Sequence, residues 1–157
     1  MHSDDTLQAE ELRRLMQRLF RRFGALVADS TPCGKPLPMA HAHALMVLLA
    51  NGELSQQDLG RELSIDKSNV TRLCAKMVEA GHVSQLTSEQ DKRSRLVSLT
   101  ARGRKLAREV DAASGARFGG LLAALPIRAR AQVLGGLRHL VAAIDTLPSA
   151  ADERISD

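Results

Sequence analysis

The chain has 157 residues, of which 44% are apolar and 25% are charged. This composition suffices for one compact domain with a core and excludes disorder as the default state. Lysine and arginine outnumber aspartate and glutamate by 22 to 18, which gives a net charge of +4. That modest excess is consistent with an anionic partner. The scarcity of aromatic residues, 2% of the chain, argues against a protein that stacks single-stranded bases.

Several functional classes find no support in the sequence. The two cysteines, Cys33 and Cys74, lack CxxC spacing, which predicts a reducing compartment. No apolar run approaches the roughly 20 residues of a membrane span, so we expect a cytoplasmic, nucleoid-associated protein with no membrane partner. Nucleophile, zinc-protease and phosphate-loop motifs are absent. We therefore predict no enzyme activity, no catalytic residues and no required cofactor.

The first quarter of the chain predicts two helices joined by a linker. Apolar side chains repeat at helical spacing over residues 4–28, and such a stripe needs a packing partner. The segment 30–38 contains three prolines and one glycine, which indicates a linker. A second helix is predicted over residues 39–50, with Asn51 and the glycine after it as its stop.

Two capped helices follow. Ser55, with Asp58 three residues later, predicts the start of a short helix. Asp66 caps a longer helix that ends at Gly81. A helix of about eight residues, a turn of about three and a longer helix is the spacing of a helix-turn-helix. The longer helix carries an apolar stripe that predicts a buried back, formed by Val70, Leu73, Cys74, Met77 and Val78.

The other faces of this longer helix carry cations and short hydrogen-bonding side chains, with no carboxylate between Asp66 and Glu79. Such side chains suit the DNA major groove, because base edges are read by donors and acceptors and phosphates are met by Lys and Arg. An ordinary amphipathic surface helix is the alternative. The residues concerned are Lys67, Ser68, Asn69, Thr71, Arg72 and Lys76.

The second half of the chain predicts a hairpin and two helices. Two short β-type runs, VSQLT and RLVSLT, flank the polar loop SEQDKRS, which indicates a hairpin with a basic tip. A hairpin directly after a recognition helix makes a wing. Thr100 caps a helix that reaches about residue 124, and Pro126 begins a last helix with an apolar stripe.

The order of elements and three local strings resemble the MarR family of winged helix-turn-helix regulators. The strings are LSQQDLGRELSIDKSNVTRLCAKMVEAGHV at 54–83, DKR at 91–93 and LVSLTARGR at 96–104. Gln90 stands at the usual Pro position of the wing and Ser94 at its usual second Arg position, so we expect a looser loop.

The resemblance implies a mainly α fold with a small β-hairpin wing, and a homodimer whose terminal helices interlock. Residues 1–37 and 101–147 would form the helical dimerisation region, and residues 38–100 the winged helix-turn-helix lobe. We expect residues 148–157 to be a disordered tail.

The resemblance also implies double-stranded DNA with a near-palindromic operator as the partner, with half-sites about one helical turn apart. Arg93, oriented by Asp91, would reach into the minor groove. The predicted major-groove set is Ser68, Asn69, Thr71 and Arg72, and the remaining predicted DNA contacts are Ser55, Lys67, Lys76, Lys92 and Arg95.

Family members usually respond to a small, often aromatic and anionic ligand between the dimer helices and the DNA-binding lobe. The resemblance therefore implies a repressor released by a small-molecule effector. The candidate effector-binding residues are His41 and His43 with two basic side chains of the first helix, Arg18 and Arg22. Histidines at a helix start are, alternatively, exposed or capping.

Three alternatives remain. Zinc sensing by Cys33 and the two histidines has suitable ligands, but His41 and His43 diverge by about 200° on a helix, and we predict no metal site. Thiol sensing favours Cys33 in the linker, because Cys74 on the apolar stripe is expected to be buried. A winged-helix module that docks an acidic protein partner is the third.

Overall fold

The computed structural model describes residues 2–148, with side chains described from Asp4 onward. Residues 149–157, nearly all of the predicted tail, lie outside this range. No helix of the described part is long and apolar enough to cross a membrane. The helices are α1 (His2–Phe23), α2 (Met39–Asn51), α3 (Gln56–Glu62), α4 (Lys67–Glu79), α5 (Ala101–Ala124) and α6 (Ile127–Asp145), and the strands are β1 (Leu54–Ser55), β2 (Val83–Thr87) and β3 (Arg95–Leu99).

The mainly α architecture with a small β wing confirms the predicted fold class. The sheet differs from a simple hairpin, because three antiparallel strands lie in the order β1-β3-β2. Val83 pairs with Leu99 in the wing, and Leu54 of β1 pairs with Val97. Strand β1 is only two residues long, which is too short to give a periodic signal in the sequence. It ties the wing to the start of α3.

The core lies between α2, α3, α4 and the sheet. The apolar back of α4 is buried as predicted, with one exception. Val78 is 42% exposed, because the adjacent Met77 occupies the core position and consecutive residues on a helix point about 100° apart. The largest fully buried side chains are Leu45, Leu48, Leu59, Met77, Val97, Val110 and Cys74.

The first helix is shorter at its C-terminus than the predicted range of 4–28. It ends at Phe23, and Gly24 follows with φ +86°, a left-handed conformation that glycine adopts at low cost. The apolar periodicity continues past this point, at Leu26 and Val27. A hydrophobic pattern alone therefore placed the helix end five residues too late.

The terminal helices leave their apolar stripes uncovered within one chain. In α6 no described residue is buried, and Leu12 and Leu15 of α1 are exposed. Exposed side chains of this size on monomeric proteins are usually scattered, whereas here they repeat along whole helix faces. The exposed large apolar side chains on α5 and α6 are Phe118, Leu121, Leu122, Ile127, Val133, Leu134, Leu137, Val141 and Ile144.

The junction between α4, the wing and α5 is tightly built. The Thr100 hydroxyl donates to the Gly81 carbonyl at 2.6 Å and accepts from the Gly103 N–H at 3.0 Å. A Cβ on Gly103 would collide with the backbone of His82. The glycine of the LT-x-x-G-R string is therefore required by a close backbone approach.

A buried histidine pair joins α2 to the turn after α4. Nε2 of His41 lies 2.9 Å from Nδ1 of His82, and both residues are 7% exposed. A hydrogen bond between two imidazoles needs one ring to donate and the other to accept, so it is lost when both rings are protonated. Burial lowers the pKa of both, and the positive charge of Arg102 lowers the pKa of His82 further.

We predict that the protein loses stability as the pH falls below about 6.5, the ordinary histidine pKa. The unfolded chain then binds protons that the folded pair resists, at a cost of up to about 1.4 kcal/mol per pH unit for each proton. His41→Gln should flatten this dependence in urea unfolding between pH 7.5 and pH 5. His43→Gln, at an exposed position of the same helix, should leave it unchanged. Equal slopes for His41→Gln and the unmodified protein would contradict this account.

Candidate nucleic-acid interface

The N-terminus of α4 is fixed by a side-chain cap. One carboxylate oxygen of Asp66 accepts the backbone N–H of Asn69 at 2.7 Å. This bond satisfies a donor that the helix cannot pair itself, and it lowers the pKa of Asp66. The cap thereby determines where α4 begins and which side chains fall on its outer face.

That outer face carries the predicted major-groove residues. Five of the six predicted side chains of α4 are exposed and Asn69 is half-buried, while Leu73, Cys74 and Met77 are buried on the opposite side. The helix is therefore amphipathic in the predicted sense. The exposed five are Lys67, Ser68, Thr71, Arg72 and Lys76.

The wing tip is closed by hydrogen bonds of its own backbone. The Ser94 N–H donates to the Asp91 carbonyl, and the Ser88 N–H donates to the Ser94 carbonyl, both at 2.9 Å. The Asp91 carboxylate accepts the backbone N–H of Arg93 at 3.0 Å. Among the described residues, no ion pair joins Asp91 to the Arg93 guanidinium. Asp91 thus orders the main chain at Arg93 and leaves its exposed side chain free to extend, together with those of Lys92 and Arg95.

An open groove of about 770 Å³ lies between α3, α4 and the wing. Of the predicted DNA-contacting residues, it brings together Lys67, Thr71, Asp91, Arg93 and Arg95. The helix-turn-helix and the wing thus share one concave, positively charged surface. Groove-lining residues that sequence reasoning missed are Gln56, Gln57, Arg61, Gln85 and Ser94.

Gln56 links the three walls of the groove. Its amide N–H donates to the Thr71 hydroxyl at 3.0 Å, and its carbonyl accepts from Gln85 at 2.7 Å. In the sequence, the only indication of these groove residues was the pair of consecutive glutamines after Ser55. Ser55 is itself engaged with Asp58, accepting its N–H at 3.0 Å and donating to its carboxylate at 2.8 Å. It does not line the groove, so its contact with DNA stays a prediction.

A model of the MarR family matches residues 35–94, the segment that contains this groove. This segment of the chain is similar to the MarR family. The curated relatives that match the chain are transcriptional regulators. A curated relative, the transcriptional activatory protein BadR of Rhodopseudomonas palustris, is 45% identical over 56 residues, which are 36% of this chain and 31% of that protein.

Another relative is the exopolysaccharide II synthesis transcriptional activator ExpG of Rhizobium meliloti, 36% identical over 108 residues. That match covers 66% of this chain and 54% of ExpG. The chain therefore spans about half or less of the length of the curated relatives it matches.

Two solved structures share the fold. Bordetella bronchiseptica BpsR, whose DNA binding is regulated by 6-hydroxynicotinic acid, has a TM-score of 0.67 at 24% identity, covering 85% of this chain and 91% of that chain. Streptococcus pneumoniae FabT, solved in complex with DNA, has a TM-score of 0.65 at 18% identity, covering 94% of this chain and 98% of that chain.

The chain also contains a smaller, largely apolar cavity of about 150 Å³ between the end of α1, the linker, α2 and α5. The rings of Phe23 and Phe118 lie 5.3 Å apart at one side of it, and the Arg117 guanidinium lies 5.5 Å from the centre of the Phe23 ring. The other lining residues are Thr31, Pro32, Cys33, Met39, Ala42, His43, Met46, Val110 and Ser114.

Of the four predicted effector-binding residues, the structure places one at this cavity. His43 lines it, whereas His41 is buried against His82. Arg18 and Arg22 are exposed on α1 and are not among the lining residues. Sequence reasoning missed Arg117, because it lies 74 positions from His43 along the chain and no local pattern links the two.

The two cysteines lie in different environments. Cys74 is buried, and burial raises the pKa of its thiol to about 11, which suppresses the reactive thiolate. Cys33 is partly exposed at the cavity, with its sulfur 2.9 Å from the Thr31 hydroxyl. Within residues 2–148, no group of three or more His, Cys, Asp or Glu side chains could hold a metal ion.

Proposed function

We propose that the protein is a homodimeric transcriptional regulator that binds a near-palindromic double-stranded operator and is released by a small aromatic acid. The observation that carries the DNA-binding part is the groove, which Lys67 and Thr71 of α4 line together with Arg93 and Arg95 of the wing. The similarity of residues 35–94 to the MarR family and the fold shared with FabT, which was solved with DNA, support the same proposal.

On DNA, α4 would lie in the major groove and the wing would reach the adjacent minor groove. Ser68, Asn69, Thr71 and Arg72 would face the bases, while Arg93 enters the minor groove. Major-groove edges are read by paired donors and acceptors, and cations near phosphates supply affinity that falls with salt. The proposed phosphate contacts are Lys67, Lys76, Lys92 and Arg95, with Ser55 beside them.

The proposed dimer follows from the uncovered apolar faces. The helical regions at 1–37 and 101–147 would interlock with those of a second copy, and residues 38–100 would form each DNA-binding lobe. A twofold-related pair of lobes would present two α4 helices to successive turns of one DNA face. This arrangement requires a near-palindromic site.

The sign of regulation has two candidates. Covering a promoter would repress transcription, which is the reading that the family resemblance favours. The names of BadR and ExpG are those of activators, which favours activation from a site upstream of the promoter. A reporter fused to the protein's own promoter separates the two, because deleting the regulator raises expression in one case and lowers it in the other.

A gel shift tests the DNA-binding proposal itself. The probe is DNA flanking the protein's own gene, with unlabelled unrelated DNA as competitor. A retained complex at excess competitor supports sequence-specific regulation. A module that docks an acidic protein would show no preference for the probe over the competitor.

We predict that Arg93→Ala weakens operator binding and makes it less salt-dependent. A cation held between the phosphates that border the minor groove releases counterions, so its loss should reduce the slope of log affinity against log salt by up to about 0.9. Fluorescence anisotropy at 50 and 200 mM salt measures both effects. Arg138→Ala removes one exposed charge on α6, outside the groove, and should change neither. Unchanged affinity of Arg93→Ala at both salt concentrations would exclude the wing contact.

We predict that Leu137→Glu converts the protein to a monomer. Leu137 is 46% exposed on the uncovered face of α6, and an apolar interface does not accept an unpaired carboxylate. Sedimentation velocity gives the mass, and circular dichroism checks that the helices persist. Gln132→Glu adds the same charge at another exposed position of α6 and should leave the dimer intact. A dimeric Leu137→Glu would place the interface elsewhere.

The proposed effector site is the small cavity. A cavity of about 150 Å³ lined by apolar side chains accommodates one benzene-sized ring. Arg117 supplies a cation beside two phenylalanine rings, a combination suited to an aromatic carboxylate. BpsR responds to an acid of this class, which supports the proposal.

We predict that 6-hydroxynicotinate or 4-hydroxyphenylacetate reduces operator affinity by roughly 5- to 150-fold, the usual range of allosteric coupling. The neutral analogue 4-hydroxyphenylethanol should have a weaker effect, because it cannot pair with Arg117. In anisotropy titrations, Arg117→Gln should remove the difference between acid and alcohol. Arg108→Gln, at an exposed position of the same helix, should preserve it. Equal effects of acid and alcohol on the unmodified protein would contradict the assignment.

A further inference from the structure

We infer that Asn69 is a positioning residue that holds the Arg72 guanidinium ready to read a guanine, and does not itself read a base. This inference rests on the proposed function, because it requires α4 to lie in the major groove. It departs from the sequence-based expectation, which placed Asn69 among the base-facing side chains.

The geometry shows an amide bonded at both ends within the protein. The Asn69 side-chain N–H donates to one carboxylate oxygen of Asp66 at 2.7 Å. Its carbonyl oxygen accepts from Nη2 of Arg72, also at 2.7 Å. The three residues are spaced by three along α4, so they form one row on the helix surface. Asp66, Asn69 and Arg72 therefore form a continuous hydrogen-bonded chain from the helix cap to the guanidinium.

The chemistry of the partners fixes which way the Asn69 amide faces. The reversed orientation would set its NH₂ group against a guanidinium, which has only donors, and its oxygen against a carboxylate, which has only acceptors. Both contacts would then be repulsive. The same Asp66 carboxylate accepts the backbone N–H of Asn69 at 2.7 Å. The side chain of Asn69 is thus anchored twice through Asp66, and it presents its oxygen to Arg72.

Arg72 keeps the donors that guanine recognition needs. A guanidinium carries five N–H groups arranged as two edges of paired donors. The two hydrogens of Nη2 belong to different edges, one shared with Nε–H and the other with Nη1–H. Asn69 uses one of these two hydrogens, so the edge that contains the other one stays free. Two parallel donors match O6 and N7 of guanine, the commonest specific contact of arginine with DNA. Arg72 is exposed, and holding it in place reduces the side-chain entropy lost on binding.

The neighbouring Thr71 cannot take over this task. Its hydroxyl donates to the Lys67 carbonyl at 2.7 Å and accepts from Gln56 at 3.0 Å. A hydroxyl has one proton, so Thr71 can only accept from a base. Within the outer face of α4 described by the structure, Arg72 is the side chain whose planar donor edge is both free and held in place.

The test is a specificity measurement on four proteins: unmodified, Asn69→Ala, Arg72→Ala and the double variant. The DNA is an operator selected from a random pool by the unmodified protein, together with derivatives that each carry one changed base pair. Asn69→Ala keeps the backbone N–H that Asp66 caps, so α4 should still fold, and thermal unfolding checks this. Glu79→Ala, at an exposed position near the other end of α4 and outside the predicted DNA-contacting set, is the matched control.

Arg72→Ala should abolish discrimination at one G·C pair in each half-site. We expect Asn69→Ala to reduce discrimination at that same pair by roughly 3- to 10-fold, the effect of losing one exposed charge-assisted hydrogen bond. At the other operator positions, Asn69→Ala should keep the base preferences of the unmodified protein. The double variant should discriminate no worse than Arg72→Ala alone, because the two residues act as one unit. A purely structural role would instead weaken binding to all sequences equally.

Two results would overturn the inference. If Asn69→Ala loses preference at a different base pair, and its effect adds to that of Arg72→Ala, then Asn69 reads a base itself. If it weakens all sequences alike, it only supports the helix. Failure of the proposed function is a separate result: the unmodified protein would then select no sequence from the random pool.

Discussion

Burial of one side of α4 is the constraint on which the rest of the structure depends. Leu73, Cys74 and Met77 are packed against α2, α3 and the sheet, and each such side chain contributes roughly 1.5–3 kcal/mol when removed from water. A helix held this firmly on one side cannot rotate about its axis. The polar side chains between the buried ones are consequently presented outward in a fixed order. The proposed DNA-reading surface is the geometric complement of the core, and a change in the core would displace it.

The wing is held to this helix at both of its ends. At its base, the Thr100 hydroxyl and Gly103 seat the start of α5 on the turn that follows α4, and His82 of that turn bonds to His41 of α2. Along its length, Gln85 of β2 bonds to Gln56, which bonds in turn to Thr71 of α4. The tip carrying Arg93 can therefore move only together with its base or by bending within the loop. This explains how one hairpin keeps a constant distance from the recognition helix.

Features that depend on residues close together in the chain were predicted correctly from the sequence. Ser55, Asp66 and Thr100 were predicted as caps because a cap depends on residues three positions apart, and the structure shows each accepting the expected N–H. The periodicity of α4 identified its buried side apart from Val78. Contacts between residues that are distant along the chain were not predicted. The pairing of His41 with His82, of Gln56 with Gln85, and of β1 with β3 brings together residues 41, 29 and about 40 positions apart.

The same distinction explains the outcome at the two candidate sites. The outer face of α4 follows from one helix, and five of its six predicted side chains are exposed. The sequence could not show that Asn69 is engaged with Asp66 and Arg72. Residue type and helix face do not reveal whether a side chain's donors are already used. The cavity is formed by α1, the linker, α2 and α5, so its residues could not be chosen before their packing was known. Of the histidines proposed there, helix geometry separates His43 from His41 by about 200°, and only His43 reaches it.

The helix α2 physically connects the cavity to the proposed DNA-binding groove. Met39, His43 and Met46, spaced by four and three residues, line the cavity along one side of α2. Leu45 and Leu48 on its other sides are buried in the core that also holds α4, and His41 bonds to the turn between α4 and the wing. Protein interiors are packed too densely to absorb a displaced helix without moving its neighbours. A ligand that fills the cavity would contact both α2 and α5, and each of these helices reaches the core behind α4 and the base of the wing. A shift of either helix would therefore reposition at least one of them.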